Sequence, residues 1–372
     1  MNPRRAWKPF ALLCLVATGA CAAPDAAKPD EPAARSSLLH VEEMATPVGL
    51  PPGSRVRRMV YRSTNAGGAA IEVTGLVLRP ARPDPNKPLL AWAHGTTGLD
   101  DKCAPSTDPE LAGYTPLLRD FLDAGYSIAA TDYEGLGTAG DHPYLVPGSE
   151  GRSLIDSVRA ARSLDPAIGP AWVAAGHSQG GQAVLAAAEL DPQETRETKL
   201  LGVVAYAPAP NMTGEVSKLG QAVTPGEQAL YTMMLSGLRT QHPELDFSDF
   251  LSPRALESMR AARTECIDDM IGRYASAKLA GSDFEPRDPG SAARLRQWFA
   301  ANEIGHTPIR VPVLVAQGDA DPVVRPELTR DMVTLMQSQG ATVEAGSYPG
   351  ADHGTVLISS RQDVLRFMSG LR

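Results

Sequence analysis

The stretch Ala171-Trp172-Val173-Ala174-Ala175-Gly176-His177-Ser178-Gln179-Gly180-Gly181 decides how the rest of the chain is read. Its first five residues form a short apolar run, and residues 182–190 that follow read as a helix. Between them stands Gly-x-Ser-x-Gly, so Ser178 falls on a tight strand-to-helix turn. Such a turn lifts a serine hydroxyl out of the sheet edge in a strained backbone conformation, which only small neighbours tolerate; Gly176 and Gly180 supply them. A serine hydroxyl needs a base to become a nucleophile, so the motif demands partners elsewhere in the chain. The helix N-terminus directs amides and a partial positive charge at a developing oxyanion, which makes the Gln179 N–H the first candidate donor.

The surrounding alternation agrees with that turn. Residues 56–62 and 71–78 are β-rich and flank Asn65-Ala66-Gly67-Gly68, which reads as an antiparallel hairpin. Residues 89–93, 126–131, 200–206, 311–316 and 342–348 read as short strands. Residues 115–124, 153–164, 327–339 and 355–371 carry helical spacing. Strands alternating with amphipathic helices predict an α/β fold, a mostly parallel sheet covered on both faces. Chemistry in such sheets sits at the C-terminal strand ends. His94, Asp132, Ser178, Asp321 and His353 all fall at or just after such ends.

Residues 209–306 break the alternation. They are mostly helix-like, and a connection of that length is expected to be a substructure of its own. The sequence therefore divides into a core of residues 39–208 and 307–372 and a helical cap, residues 209–306, inserted between two strands. Tyr231-Thr232-Met233-Met234-Leu235 within the cap either lines an acyl pocket or packs the cap on the core.

With 372 residues, 43% hydrophobic and 21% charged, the chain is globular in composition. A net charge of −8 argues against nucleic acid as a partner, since phosphate binding needs a basic face. Arg4, Arg5 and Lys8 precede a short apolar stretch, residues 10–17, too short to span a bilayer, and then small residues. Residues 1–22 thus read as an export signal and residues 23–38, rich in Ala, Pro, Asp, Glu and Lys, as a disordered linker. Cys21 either belongs to a small-residue cleavage site or carries a lipid that tethers the protein to a membrane. The expected location is periplasmic, extracellular or anchored at the cell envelope. In such an oxidising compartment Cys103 and Cys266, the two cysteines beyond the signal, can form one disulfide; the alternative is two buried thiols.

Chain order selects the remaining catalytic candidates. On a sheet of this kind the order is Ser, then an acid, then His. Past residue 316 the one histidine is His353, in Gly350-Ala351-Asp352-His353-Gly354. The acid lies in Gln317-Gly318-Asp319-Ala320-Asp321-Pro322, where Asp319 and Asp321 compete. The spacing Gly318-x-x-Asp321-x-x-Val324 selects Asp321 and leaves Asp319 to satisfy turn amides. A second oxyanion donor is expected from His94-Gly95-Thr96-Thr97-Gly98, with the Thr96 N–H opposite that of Gln179 and Gly95 giving the substrate close backbone access. His94 reads as a structural hydrogen-bonding residue and Tyr133 as a possible substrate contact. Histidines and cysteines lack metal-ligand spacing, and no phosphate-cradling or dinucleotide motif occurs, so the reading includes no metal and no cofactor.

Taken together, His94-Gly95-Thr96-Thr97-Gly98, Cys103-Ala104-Pro105, Asp132-Tyr133-x-Gly135-x-Gly137, Gly176-His177-Ser178-Gln179-Gly180-Gly181, Gly318-x-x-Asp321 and His353 resemble the α/β-hydrolase superfamily, and within it the secretory lipase family. The resemblance covers residues 50–372. It implies hydrolysis of carboxylic esters, small-molecule or lipid, often acylglycerols, and a helical cap ahead of the acid-bearing strand. A Ser178–Asp321–His353 triad would then work through an acyl-enzyme. An acyltransferase or peptidase with the same triad, a binding protein on the same scaffold, and a polymer-degrading cutinase or polyesterase are the other readings.

Overall fold

The computed structural model describes residues 38–371 apart from 195–196 and 222–223. The expected signal, residues 1–22, and the expected linker up to residue 37 lie outside the described residues. Leu38 is not linker: it opens a strand.

Among the described residues nine strands form one sheet: β1 (Leu38–Met44), β2 (Arg55–Thr64), β3 (Ala70–Arg79), β4 (Leu89–Ala93), β5 (Ile128–Thr131), β6 (Ala171–His177), β7 (Lys199–Tyr206), β8 (Val313–Gly318) and β9 (Val343–Tyr348). Their spatial order is β1-β2-β3-β5-β4-β6-β7-β8-β9. The β1–β2, β2–β3 and β3–β5 pairings are antiparallel, and every pairing from β5 to β9 is parallel. The hairpin, the mostly parallel sheet and the strand positions follow the sequence reading. β8 begins later than expected because Pro312 has no N–H for the ladder; its carbonyl instead accepts from Val203 N at 3.0 Å.

The helices are α1 (Thr115–Asp123), α2 (Pro147–Leu164), α3 (Gln179–Glu194), α4 (Pro225–Gln241), α5 (Pro253–Ala262), α6 (Ile267–Ala277), α7 (Pro289–Ala300), α8 (Pro326–Ser338), α9 (Val356–Ser359) and α10 (Arg361–Gly370). α2 starts six residues before the expected 153: Pro147 has a φ suited to a first helical turn, where its missing N–H is not needed. The expected final helix is two, because the Ser360 hydroxyl turns back to the Val356 carbonyl at 2.6 Å and bends the chain there.

Alternate residues of each central strand feed opposite faces. Ala91 and Ala93 of β4, Trp172 and Ala174 of β6 and Val313 and Val315 of β8 pack with α2, α3 and α8. Leu90 and Trp92, Val173 and Ala175, and Leu314 and Ala316 pack with α1, α9 and α10. Burial on both faces is why these strands read as unbroken apolar runs. Trp172 is wholly buried, and truncation to Ala costs about 3–5 kcal/mol.

Between β7 and β8 the regular elements among the described residues are all helical. α4 to α7 surround a separate apolar cluster that includes Tyr231, Phe250, Tyr274, Phe284 and Leu295. Thr224 caps α4 with a reciprocal Glu227 contact, and Ser252 and Asp288 cap α5 and α7 through their side chains. No helix among the described residues is long and apolar enough to cross a membrane.

Candidate active site

β6 runs into Ser178, whose φ is +57°, a left-handed backbone that costs a non-glycine residue roughly 1–2 kcal/mol. Hydrogen bonds hold it there. Ser178 N–H donates to Tyr206 O at 2.9 Å, and its carbonyl accepts from Ala209 N at 2.9 Å and Gln182 N at 3.2 Å. A Cβ on Gly176 would overlap the Gly180 carbonyl, and one on Gly180 the Ala93 carbonyl. The two glycines are thus required by backbone approaching backbone, and Ser178 stays partly exposed at the strand end.

His353 lies in the turn between β9 and α9, with Nδ1 2.8 Å from Asp321 Oδ2. Asp321 is 4% exposed; Oδ1 accepts from the Val323 and Val324 amides at 2.8 and 2.9 Å, and Oδ2 also from Gln317 Nε2 at 3.1 Å. Burial alone would raise its pKa, but the His353 hydrogen bond and charge, with the two amides, hold it below the ordinary carboxylate value. Asp319 instead accepts from Gly350 N at 2.6 Å and ties two turns together. The His353 turn abuts the Ser178 turn: the His177 and His353 rings are 4.5 Å apart, and His177 Nε2 donates to the His353 carbonyl at 2.8 Å. An imidazole bonded at Nδ1 to a carboxylate keeps Nε2 available to take and return a proton.

The loop after β4 lies against the same turn. The Gln179 N–H is in the first turn of α3 and has no intrahelical acceptor. The Gln179 side chain is buried behind it, donating to Glu150 Oε1 at 2.7 Å and His142 Nε2 at 2.9 Å. His142 Nδ1 in turn donates to the Glu134 carbonyl at 2.7 Å. Burial raises the Glu150 carboxyl to about 8 and lowers His142 to about 4. Thr96 presents its hydroxyl to Tyr144 Oη at 2.7 Å.

Two expected substrate contacts lie elsewhere. Tyr133 is fully buried, and its hydroxyl donates to the His94 carbonyl at 2.8 Å, so it props the loop from beneath. Gly95 is buried too. Its N–H donates to Tyr114 Oη at 2.9 Å, and a Cβ there would press on that hydroxyl and on His177. Its lack of a side chain serves the Tyr114 contact. His94 is structural as expected: buried, with Nδ1 2.6 Å from the Gly95 carbonyl and its pKa lowered by burial.

The helical segment grips this loop. Cys103 and Cys266 form a disulfide, Ile267 N donates to Thr97 O at 2.8 Å, and Gly98 bridges Cys266. Of Tyr231-Thr232-Met233-Met234-Leu235, four are buried within the segment. Met234 alone of the five lines a small cavity of about 20 Å³ shared with Tyr144, Gln182, Leu238 and Phe299. A groove of about 1170 Å³, lined by Met44, Val48, Leu111 and Ile358, contains none of the candidate catalytic residues. Tyr114, His142, Tyr144 and Glu150 escaped the sequence reading. Each acts through a partner distant in sequence or buried by tertiary packing, and none stands in a motif.

A parallel sheet with a serine on the β6–α3 turn and an Asp–His pair after β8 and β9 defines the α/β-hydrolase class. Solved structures agree on the fold. Lipase A from Candida antarctica superposes with a TM-score of 0.74 at 18% identity, over 90% of this chain and 82% of that one. The rice cell wall degrading esterase LipA from Xanthomonas oryzae gives 0.70 at 20% identity, over 90% and 98%. The secretory lipase family matches residues 113–369, and the chain belongs to that family. Among curated relatives, the secreted triacylglycerol lipase LIP4 of Malassezia furfur is 27% identical over 279 residues, 71% of this chain and 51% of that protein. Lipase 9 of Candida albicans is 25% identical over 243 residues, 61% and 51%. The chain thus spans about half the length of the curated relatives it matches.

Proposed function

We propose that the chain is an exported carboxylic ester hydrolase acting through Ser178, His353 and Asp321. The observation that carries the reading is the conjunction of Ser178 at φ +57° with the 2.8 Å His353–Asp321 contact, in turns joined by the His177–His353 hydrogen bond. Ser178 Oγ attacks the ester carbonyl while His353 Nε2 takes its proton. Asp321 orients the ring and stabilises the imidazolium. The Thr96 and Gln179 amides hold the tetrahedral oxyanion. His353 then protonates the departing alcohol, and water repeats the cycle on the acyl-Ser178 ester. Residues 209–306 act as the cap over this site. Export rests on the charged and apolar pattern of residues 1–22 and on the secreted relatives; a lipid on Cys21 would tether the protein to the envelope.

Esters are favoured over peptides by family membership and by relatives named as lipases and esterases. The test is hydrolysis of p-nitrophenyl esters from acetate to palmitate, with and without an emulsified interface. Turnover that vanishes in Ser178→Ala supports the reading, and chain-length preference then assigns esterase or lipase. No turnover of any ester by the folded protein would contradict it.

A further inference from the structure

A directional hydrogen-bond chain crosses the site without involving the triad side chains. Gly95 N–H donates to Tyr114 Oη at 2.9 Å. Tyr114 Oη lies 2.8 Å from His177 Nδ1, and His177 Nε2 lies 2.8 Å from the His353 carbonyl oxygen. The ends fix every direction. An amide N–H only donates and a carbonyl only accepts, so His177 carries its proton on Nε2. Nδ1 is then an acceptor, and the single Tyr114 proton goes to it. The chain works with His177 neutral. Burial, reinforced by the neighbouring His353 charge, lowers the His177 pKa to about 3, so it stays neutral through the ordinary working range. The charged and titratable groups facing it are His353 and Asp321, with the Tyr114 hydroxyl on the other side.

The contacts join segments far apart in sequence: 19 residues separate Gly95 from Tyr114, 63 separate Tyr114 from His177, and 176 separate His177 from His353. They connect the residue before Thr96, the residue before Ser178 and the backbone of His353. Three loops that must keep register in one reaction are thereby tied through two side chains.

We propose that Tyr114 and His177 are positioning residues that hold the His353 turn and the 94–98 loop at fixed distances from Ser178. The proposal rests on the assignment of Ser178 and His353 as nucleophile and base. Neither residue touches the reacting atoms; each acts by keeping others in place. Misplacement of reacting groups by about 1 Å costs on the order of a hundredfold in rate.

The experiment compares Tyr114→Phe, His177→Leu, His177→Gln and Ser178→Ala on p-nitrophenyl acetate, with thermal melts of each. Tyr114→Phe removes one oxygen and is expected to lower kcat about ten- to a hundredfold with KM little changed. His177→Leu breaks both contacts and should fall at least as far. His177→Gln keeps a donor for the His353 carbonyl and should stay within about threefold of the wild type. A melt shift without loss of kcat, a change confined to KM, or equal loss in His177→Gln and His177→Leu would overturn the proposal. If Tyr114→Phe does not fold, the two His177 variants carry the test. Ser178→Ala separates the two levels: turnover surviving in it removes the catalytic assignment itself, whereas a dead Ser178→Ala beside a fully active Tyr114→Phe removes only the positioning role.

Discussion

His353 Nδ1 meets Asp321 Oδ2 at 2.8 Å, while Asp319, two residues earlier, faces away and accepts from Gly350 N at 2.6 Å. Neighbouring carboxylates thus hold different posts in one turn. Asp321→Asn offers His353 an amide and should reduce kcat by about a thousand- to ten-thousandfold. Asp319→Asn keeps an acceptor for Gly350 and should stay near wild type. Steady-state kinetics of the pair decide, and equal losses in both would refute the division.

Gly180→Ala should remove activity by a backbone route. Its new Cβ meets the Ala93 and His94 carbonyls, so strand and helix must separate where the 94–98 loop begins. Overpacking of this kind costs about 1–3 kcal/mol. A lower urea midpoint with loss of ester turnover is expected. Unchanged turnover would show that the close approach is dispensable.

The disulfide should matter to rate as well as stability. Cys266 is bonded to Cys103, and its neighbour Ile267 holds the Thr97 carbonyl. Cys103→Ala/Cys266→Ala should lose about 2–5 kcal/mol of stability. It should also lower kcat more than it raises KM. A variant with a lower melting temperature and wild-type kcat would confine the bridge to stability.

Glu150 sets a pH dependence. Its folded pKa is raised from the ordinary 4.5 to about 8 by burial, so the folded state binds the proton more tightly than the unfolded chain. Its contribution is full below pH 4.5 and is lost as pH rises through about 8. Glu150→Gln mimics the protonated acid and still accepts from Leu145 and Gln179. The melting temperature of Glu150→Gln should therefore fall less than that of the wild type between pH 5 and about 8. His142 and His177, lowered from 6.5 to about 4 and about 3, lose their contribution as pH falls from 6.5, in both proteins alike. Parallel melting curves between pH 5 and about 8 would exclude the Glu150 effect.

Most of the parallel sheet was legible because strands such as Leu89–Ala93 are buried on both faces and carry no polar interruption. The Asp321–His353 pair was legible because chain order left one histidine after β8. β1 was not, since this edge strand has no fully buried residue, and its half-buried Leu38, Val41 and Met44 are spaced by three rather than alternating. Gly95 and Tyr133 read from the sequence as substrate contacts because the sequence marks only a tight loop; the packed structure shows that Tyr114 lies against one and that the other supports His94. Glu150 and Tyr114 carry no motif, and their roles arise wholly from tertiary contacts.

The central claim is that Ser178 is a nucleophile activated by His353. The direct measurement is fluorophosphonate labelling followed by peptide mass spectrometry in the wild type, Ser178→Ala and His353→Ala. One adduct per chain on Ser178 is predicted, absent in Ser178→Ala and strongly slowed in His353→Ala. No adduct on folded wild type, an adduct on another residue, or undiminished labelling in His353→Ala would contradict it.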